Sequence, residues 1–469
     1  METHQIIIFL IAFASLALNM IVGWVRTKDN MSFSEWKGKP SSLQWVVVAI
    51  TMSATVIGGG MFLGVGQIGY EAGIVGIFIG LIYLLGFILL GFFSNRIRKI
   101  LTENNADSLI DLLSKLYDKR VVTVFCIGNL LMYTTLLGAQ FSALWEFKNF
   151  MQDNYSFSWL LWLCLGIAAF NIFIYPIIGG FKKDVQTDVV NIIWLIIAGA
   201  IVAYQMINEG IDVSKLKTEQ LSGTGYGTVF IIGAVLFLTP SFLIRLDIWQ
   251  RIVAAKSPKH SRNGFILAGI LSFVFFSFFT LIGMWAYSKG ATNPKFATLD
   301  VLGKSFESNP YIFGLIIGAF FSALLNCADT FINNTGLFLT KLTHSKLWDK
   351  QNEVEPSKKL LIKVQINCLI IAAVSVIFTI IFKDFVNLLA GAFSVILVFI
   401  PTILGLFEKN WRSSMAAFYS SSISLGLFII LFSTQLIDRK SAFAPCVIIS
   451  IIIYFIALRL DKSRKANIQ

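Results

Sequence analysis

Apolar residues in this chain gather into runs of about 20 or more, separated by short polar stretches. One crossing of a bilayer core about 30 Å thick takes about 20 apolar helical residues. The pattern therefore predicts an all-α membrane protein with about thirteen transmembrane helices, at 5–24, 44–69, 72–95, 121–148, 157–181, 184–208, 226–250, 263–288, 310–340, 359–382, 385–407, 413–434 and 442–460. The first run has no basic stretch before it and no small-residue cleavage site behind it, so it reads as a retained helix rather than a signal peptide. Between the third and fourth runs, residues 102–120 place Leu109, Leu112, Leu113 and Leu116 on one helical face, as in a helix lying on the inner membrane surface.

Two of the runs are interrupted. Gly58, Gly59 and Gly60 fall inside 44–69, and three successive glycines are poor helix formers. An unpaired backbone group in hydrocarbon is costly, so such a stretch is tolerated where it lines a cavity or packs closely on a neighbour. A packing face built on Gly60 and Gly64 accounts for it as well as a cavity does. Five helices later, 226–250 is interrupted by Gly233 and by Thr239-Pro240, where proline removes a backbone donor. Broken helices at matching positions of two five-helix halves point to a 5+5 inverted-repeat core with its site near the midplane. The expected organisation is a peripheral helix and inner loop (1–43), a first repeat (44–208), an outer loop (209–225), a second repeat (226–408), and two peripheral helices with an inner tail (409–469).

Composition narrows the function. The chain is 56% hydrophobic and 14% charged, against about 25% charged in soluble domains. Cys126, Cys164, Cys327, Cys368 and Cys446 all lie in apolar runs without a CxxC pair, which argues against a disulfide framework or a zinc site. His4, His260 and His344 lie near loops or the terminus, and no nucleophile–base arrangement can be built from them. An enzyme is not expected, and no cofactor beyond a sodium ion. The net charge of +12 is unevenly placed: with the N-terminus outside, inner loops and the C-terminal tail carry 28 Lys and Arg and outer loops carry 9. That split follows the positive-inside rule and needs no nucleic-acid partner. The expected location is a bacterial inner (plasma) membrane, N-terminus outside and C-terminus in the cytoplasm.

Ionisable groups inside the spans mark function more than structure does. Asp188 falls in the first turn of 184–208, and Asp329 near the middle of 310–340. Asn326, Asp329, Thr330 and Asn333 share one helical face, an oxygen-rich stripe suited to a monovalent cation or a proton relay. The same residue types also serve interhelical hydrogen bonding. Arg245 and Asp247 suggest a mutual salt link with Arg245 snorkelling to the inner interface. Tyr133 and Gln140 are polar positions on 121–148 that can line a pocket or simply pack.

Four motifs together resemble the sodium/solute symporter family, over roughly 44–410. They are Ser53-Ala54-Thr55-Val56-Ile57-Gly58-Gly59-Gly60-Met61-Phe62-Leu63-Gly64; Gly179-Gly180-Phe181 with Thr187-Asp188 and Asn191; Asp247-Ile248-Trp249-Gln250-Arg251 with Ala254-Ala255-Lys256; and Ser322-Ala323-Leu324-Leu325-Asn326-Cys327-Ala328-Asp329-Thr330. The resemblance implies the leucine-transporter-like fold and alternating access. It places a sodium site at Ala54, Ile57, Ala323, Asn326 and Cys327, and a second cation or proton site at Asp188, Asn326, Asp329 and Thr330. The family commonly has two hydroxyl residues where this chain has Asn326-Cys327, and a thiol is a poor sodium ligand. The triple glycine is similar to the choline-transporting branch, but Val56 stands where that branch has a caging aromatic residue.

The function expected is cation-coupled symport, with sodium first among coupling ions, of a small organic solute bound near Val56, Gly58, Met61, Phe62 and Gln140. The alternatives are a proton-coupled or uncoupled transporter, or a membrane sensor that keeps the fold without transporting; an enzyme acting on lipid has no supporting constellation. The partners expected are the lipid bilayer, a small-molecule substrate, and sodium or protons.

Overall fold

The structure is a computed structural model that describes residues 2–24, 32–38, 43–154, 159–228, 231, 235, 239, 242–351, 353–382 and 385–466. Nine helices in these residues are long and apolar enough to cross a membrane, and two bent pairs bring the number to as many as eleven. A shorter apolar helix covers Trp159–Phe173. The described residues thus stop short of the thirteen crossings expected. Most of the 226–250 run, with Gly233 and Pro240, lies outside the described residues.

Two boundaries differ from expectation. Residues 157–181 and 184–208 are not separated by a loop; they join as Trp159–Glu209, kinked at Gly180, which takes φ 54° and ψ −157°. A Cβ at Gly180 would lie 2.6 Å from the carbonyl oxygen of Trp36. The indole of Trp36 sits against the kink and donates to the Ile177 carbonyl at 3.2 Å. Lys182 and Lys183, expected in a loop, therefore lie in a helix, and Asp188 sits well past its first turn.

The Pro310–Thr343 helix is the axis of the molecule. Asn309 caps it by accepting from the Ile312 amide, and Pro310 fills the first turn, where no amide partner is needed. Of its most apolar stretch 83% is buried, against 28% for Gly179–Glu209. The Val354–Phe382 helix shows the opposite face of the same logic. Ile362, Ile366, Leu369, Ile370, Ile377 and Ile380 are all exposed along it, as a lipid-facing surface requires.

Several helix ends on one side of the bundle are tied together. Leu43, just before the first broken helix, donates to the Ala254 carbonyl at 2.9 Å and accepts from Lys256 at 2.9 Å. The Leu109–Leu116 helix buries Leu109, Leu112 and Leu113, as its periodicity requires, while Leu116 is half-buried. Its Asp111 takes an ion pair from Lys37 at 3.2 Å and a hydrogen bond from Trp348 at 2.7 Å.

Candidate functional site

The triple glycine does break its helix. Trp45–Val56 ends as Ile57 leaves helical geometry (φ −87°, ψ 76°), and a π-helical turn, Met61–Val65, leads into Gly66–Ala72. The two halves meet at 67°. The Gly58 amide turns to the Val56 carbonyl at 3.1 Å, so it is not spent on Ala54 in the usual helical manner. Close packing applies at the same residues. A Cβ at Gly58 would stand 2.6 Å from Cys327 Sγ and 2.8 Å from Gln140 Oε1, and one at Gly59 would stand 2.7 Å from Leu324 Cβ. The close-packing explanation of the glycines holds at the break.

The expected cation residues Ala54, Ile57, Ala323, Asn326 and Cys327 are all buried. The Cys327 thiol donates to the Thr55 carbonyl at 2.8 Å and approaches that of Ala54 at 3.7 Å. Asn326 Oδ1 is turned away from the break and accepts from Asn191 Nδ2. Neither side chain of the Asn326-Cys327 pair presents a free oxygen toward the break. Of the expected solute residues, Gln140 comes directly to it: Gly60 donates its amide to Gln140 Oε1 at 3.1 Å. Met61 and Phe62 are buried and Val56 half-buried beside the same break.

Tyr133 is fully buried. Its hydroxyl donates to Asp247 Oδ1, and Arg245 donates to the same carboxylate through Nε at 3.2 Å and Nη2 at 2.7 Å. The salt link expected between Arg245 and Asp247 is present. The snorkelling is not, because Arg245 is buried.

Two residues that sequence reasoning passed over organise the second site. Arg251, fully buried, donates to Thr51 at 3.2 Å, to Thr55 at 2.7 Å and to Asp184 at 3.2 Å, and lies 3.6 Å from Asp188. Thr330 donates to Asp184 at 2.9 Å. The carboxyl groups of Asp184 and Asp329 lie close to one another. Two carboxyl groups, Asp184 and Asp188, thus gather around the Arg251 guanidinium, with Asp329 next to Asp184. The available signal was the spacing of Asp184 and Asp188, which puts both on one helical face. Asp188 and Thr330 face Arg251, whereas Asp329 also reaches a small cavity with Asn191 on its other side. Among the described residues, no group of three or more His, Cys, Asp or Glu is placed to hold a metal ion. The donors at hand are carbonyls, amides, hydroxyls and single carboxylates, the hard oxygen ligands that suit an alkali cation.

Comparison with known proteins fits this arrangement. No curated protein sequence matches the chain. Among solved structures, a Na+-coupled sialic acid symporter in a substrate-bound outward-open state superposes with a TM-score of 0.77 at 15% identity, covering 97% of this chain and 98% of that one. A nucleobase-cation-symport-1 family transporter, closed with bromovinylhydantoin bound, gives 0.55 at 12% identity over 91% and 95% of the two chains. MhsT in complex with L-phenylalanine gives 0.52 at 15% identity over 89% and 99%. These likenesses establish the fold, an all-α, leucine-transporter-like membrane architecture. The sodium:solute symporter family profile matches residues 40–423, and the chain therefore belongs to that family of multi-pass, cation-coupled symporters of small solutes.

Proposed function

We propose that sodium is the coupling ion and that the solute binds at the break in the first core helix, beside Val56, Gly58, Met61 and Gln140. The observation that carries this is the meeting of the opened backbone at Gly58–Gly60 with Gln140 and Cys327 from two other helices. A broken helix gives both halves unpaired backbone groups to offer a guest at mid-membrane depth. In this reading Ala54, Ile57, Ala323 and Asn326 remain the cation positions at the break, with Cys327 weakening them because its sulfur stands where an oxygen ligand would serve better. Arg251 supplies a tethered positive charge to Asp188 and Thr330, so a mobile cation is less needed on that face. The two repeats run 44–208 and 226–408, with the N-terminus outside and the C-terminus in the cytoplasm of a bacterial inner membrane.

Uptake into proteoliposomes tests the coupling. An imposed sodium gradient should drive accumulation of a solute that binds the purified protein. Accumulation driven by neither a sodium nor a proton gradient rules out cation coupling. A proton-coupled second reading is supported by the closeness of the buried Asp184 and Asp329 carboxyl groups, since like charges held together favour keeping a proton. Uptake driven by a proton gradient in sodium-free buffer would select it.

A further inference from the structure

An open-sided crevice of about 1140 Å³, sharing no residue with the solute and cation positions, runs between the second half of the Lys119–Asn154 helix, the Trp159–Phe173 stretch and the end of the Val354–Phe382 helix. A small-molecule pocket takes about 300–1,000 Å³, so this one has room for a larger guest. The gap exists because of Gly166: a Cβ built there would meet no atom within 4 Å. Ala169, three residues on and so on the same helical face, keeps the groove open. The opposite wall includes Ile380, which belongs to the exposed, lipid-facing row of its helix. The crevice is thus continuous with the surface that meets acyl chains.

The rim is different from the walls. Trp145 and Trp162 stand exposed at it, and amphipathic rings of this kind gather at the membrane–water interface. The charged residues that line the crevice are Glu146, Lys148, Asp153 and Lys295, two of each sign. Glu146 lies 3.7 Å from Lys295 and accepts from Asn149 at 3.4 Å. The Lys148 ammonium stands over the Trp145 ring, 4.4 Å from its centre. Apolar walls open to lipid and a charged rim at one end match a molecule with a long apolar tail and a charged head. A rim of balanced charge favours a head that is itself balanced, since an anionic head would bring a charge with no counterpart. The cationic part of that head meets carboxylates, which accept hydrogen bonds from an ammonium that has hydrogens to give. A quaternary ammonium has none, and the Trp145 face that would cage it is already covered by Lys148.

We propose that this crevice is a binding site for one zwitterionic phospholipid of the ethanolamine type, its phosphate at Lys148 and Lys295, its ammonium at Asp153, and an acyl chain laid over Gly166 and Ala169. The full chain is purified in detergent and stripped of lipid. Synthetic palmitoyl-oleoyl phosphatidylethanolamine, phosphatidylglycerol and phosphatidylcholine are then titrated separately. Native mass spectrometry counts the lipids retained, and thermal stability is followed in parallel, since a lipid that binds the folded state raises it.

One phosphatidylethanolamine should be held per chain, with a lower midpoint than either other lipid. Gly166→Phe fills the groove where no protein atom stands in the way, and should lose that lipid or raise its midpoint at least tenfold, because every acyl methylene it displaces costs affinity. Asp153→Asn, at an exposed position, leaves the walls intact and should bring phosphatidylethanolamine down to the level of phosphatidylcholine; it serves if the phenylalanine variant does not fold. Equal midpoints for the three lipids on the wild-type protein overturn the proposal, as does a lipid count unchanged in a folded Gly166→Phe or a preference unchanged in Asp153→Asn. Neither readout depends on which ion or solute is carried, so failure here leaves the proposed function standing.

Discussion

Arg245 and Arg251 lie close together on the same segment and are both buried, yet they do different work. Arg245 closes on Asp247, two residues along, and Tyr133 completes that carboxylate from one other helix. Arg251 reaches Thr51 and Thr55 on the first broken helix and Asp184 and Asp188 beyond the Gly180 kink, and lies 3.5 Å from Thr330 on the central helix. The first arginine fixes the shape of its own segment. The second joins separate helices that an alternating-access cycle moves past one another. A local pair is replaceable by well-packed apolar residues; a shared hub is not, because removing it strands several partners at once.

Four measurements sharpen or break this contrast. Arg251→Met should have the largest effect, lowering stability by about 3–5 kcal/mol by leaving Asp184 and Asp188 without their counter-charge, and abolishing uptake. In the Arg251→Met background, Asp184→Leu should restore only part of the stability, whereas Arg245→Met with Asp247→Leu should come close to wild type; thermal unfolding in detergent reads both. Equal recovery in the two double variants would erase the distinction. Next comes Tyr133→Phe, which removes one hydrogen bond to a buried carboxylate and should cost about 1.5–3 kcal/mol while leaving the sodium dependence of uptake in place.

The third comparison sets the acidic site against the helix break. Asp329→Asn should weaken cation dependence more than Cys327→Ser, and the serine variant should lower the sodium concentration needed for half-maximal uptake, because it returns an oxygen ligand to the break. Equal losses would count against assigning cation roles to either. The smallest effect is expected at the short Leu109–Leu116 helix. Burial alone pushes the Asp111 carboxyl up, but the Lys37 ammonium and hydrogen bonds from Trp348 and Ser108 outweigh it and hold the group below its ordinary value. A depressed carboxylate contributes stability that is present above about pH 4 and is lost as pH falls further. Asp111→Asn should therefore flatten the acid limb of a pH–stability profile; an acid limb identical to wild type would remove Asp111 from that role.

Much of the fold was legible because bilayer thickness imposes a simple length rule on apolar runs. The break at Gly58–Gly60 and the Arg245–Asp247 pair were legible because glycine runs and buried charges are rare and therefore conspicuous. Asp184 was not, because Lys182-Lys183 before it look like a loop, and nothing local reveals that Gly180 bends the chain there without ending the helix. Arg251 looked like the start of a basic inner loop, and only tertiary packing shows that it points inward. Gly166 and Lys295 are single residues far apart in the chain. Each reads alone as an ordinary helix glycine or loop lysine, and their convergence on one crevice exists only in three dimensions.

The glycine face of the first broken helix has a mechanical consequence. Where Gly60 and Gly64 stand, any Cβ would overlap the ring of Phe385, at 2.2 and 1.7 Å. At Gly60 and Gly64 that helix therefore rests on a flat aromatic plate rather than on interlocked side chains. Meshed side chains resist sliding as gear teeth do, whereas a smooth shaft on a plain bearing turns with little resistance. Alanine at Gly64 would put a tooth on the shaft, and a chain that still bound its solute would be held at one end of its stroke.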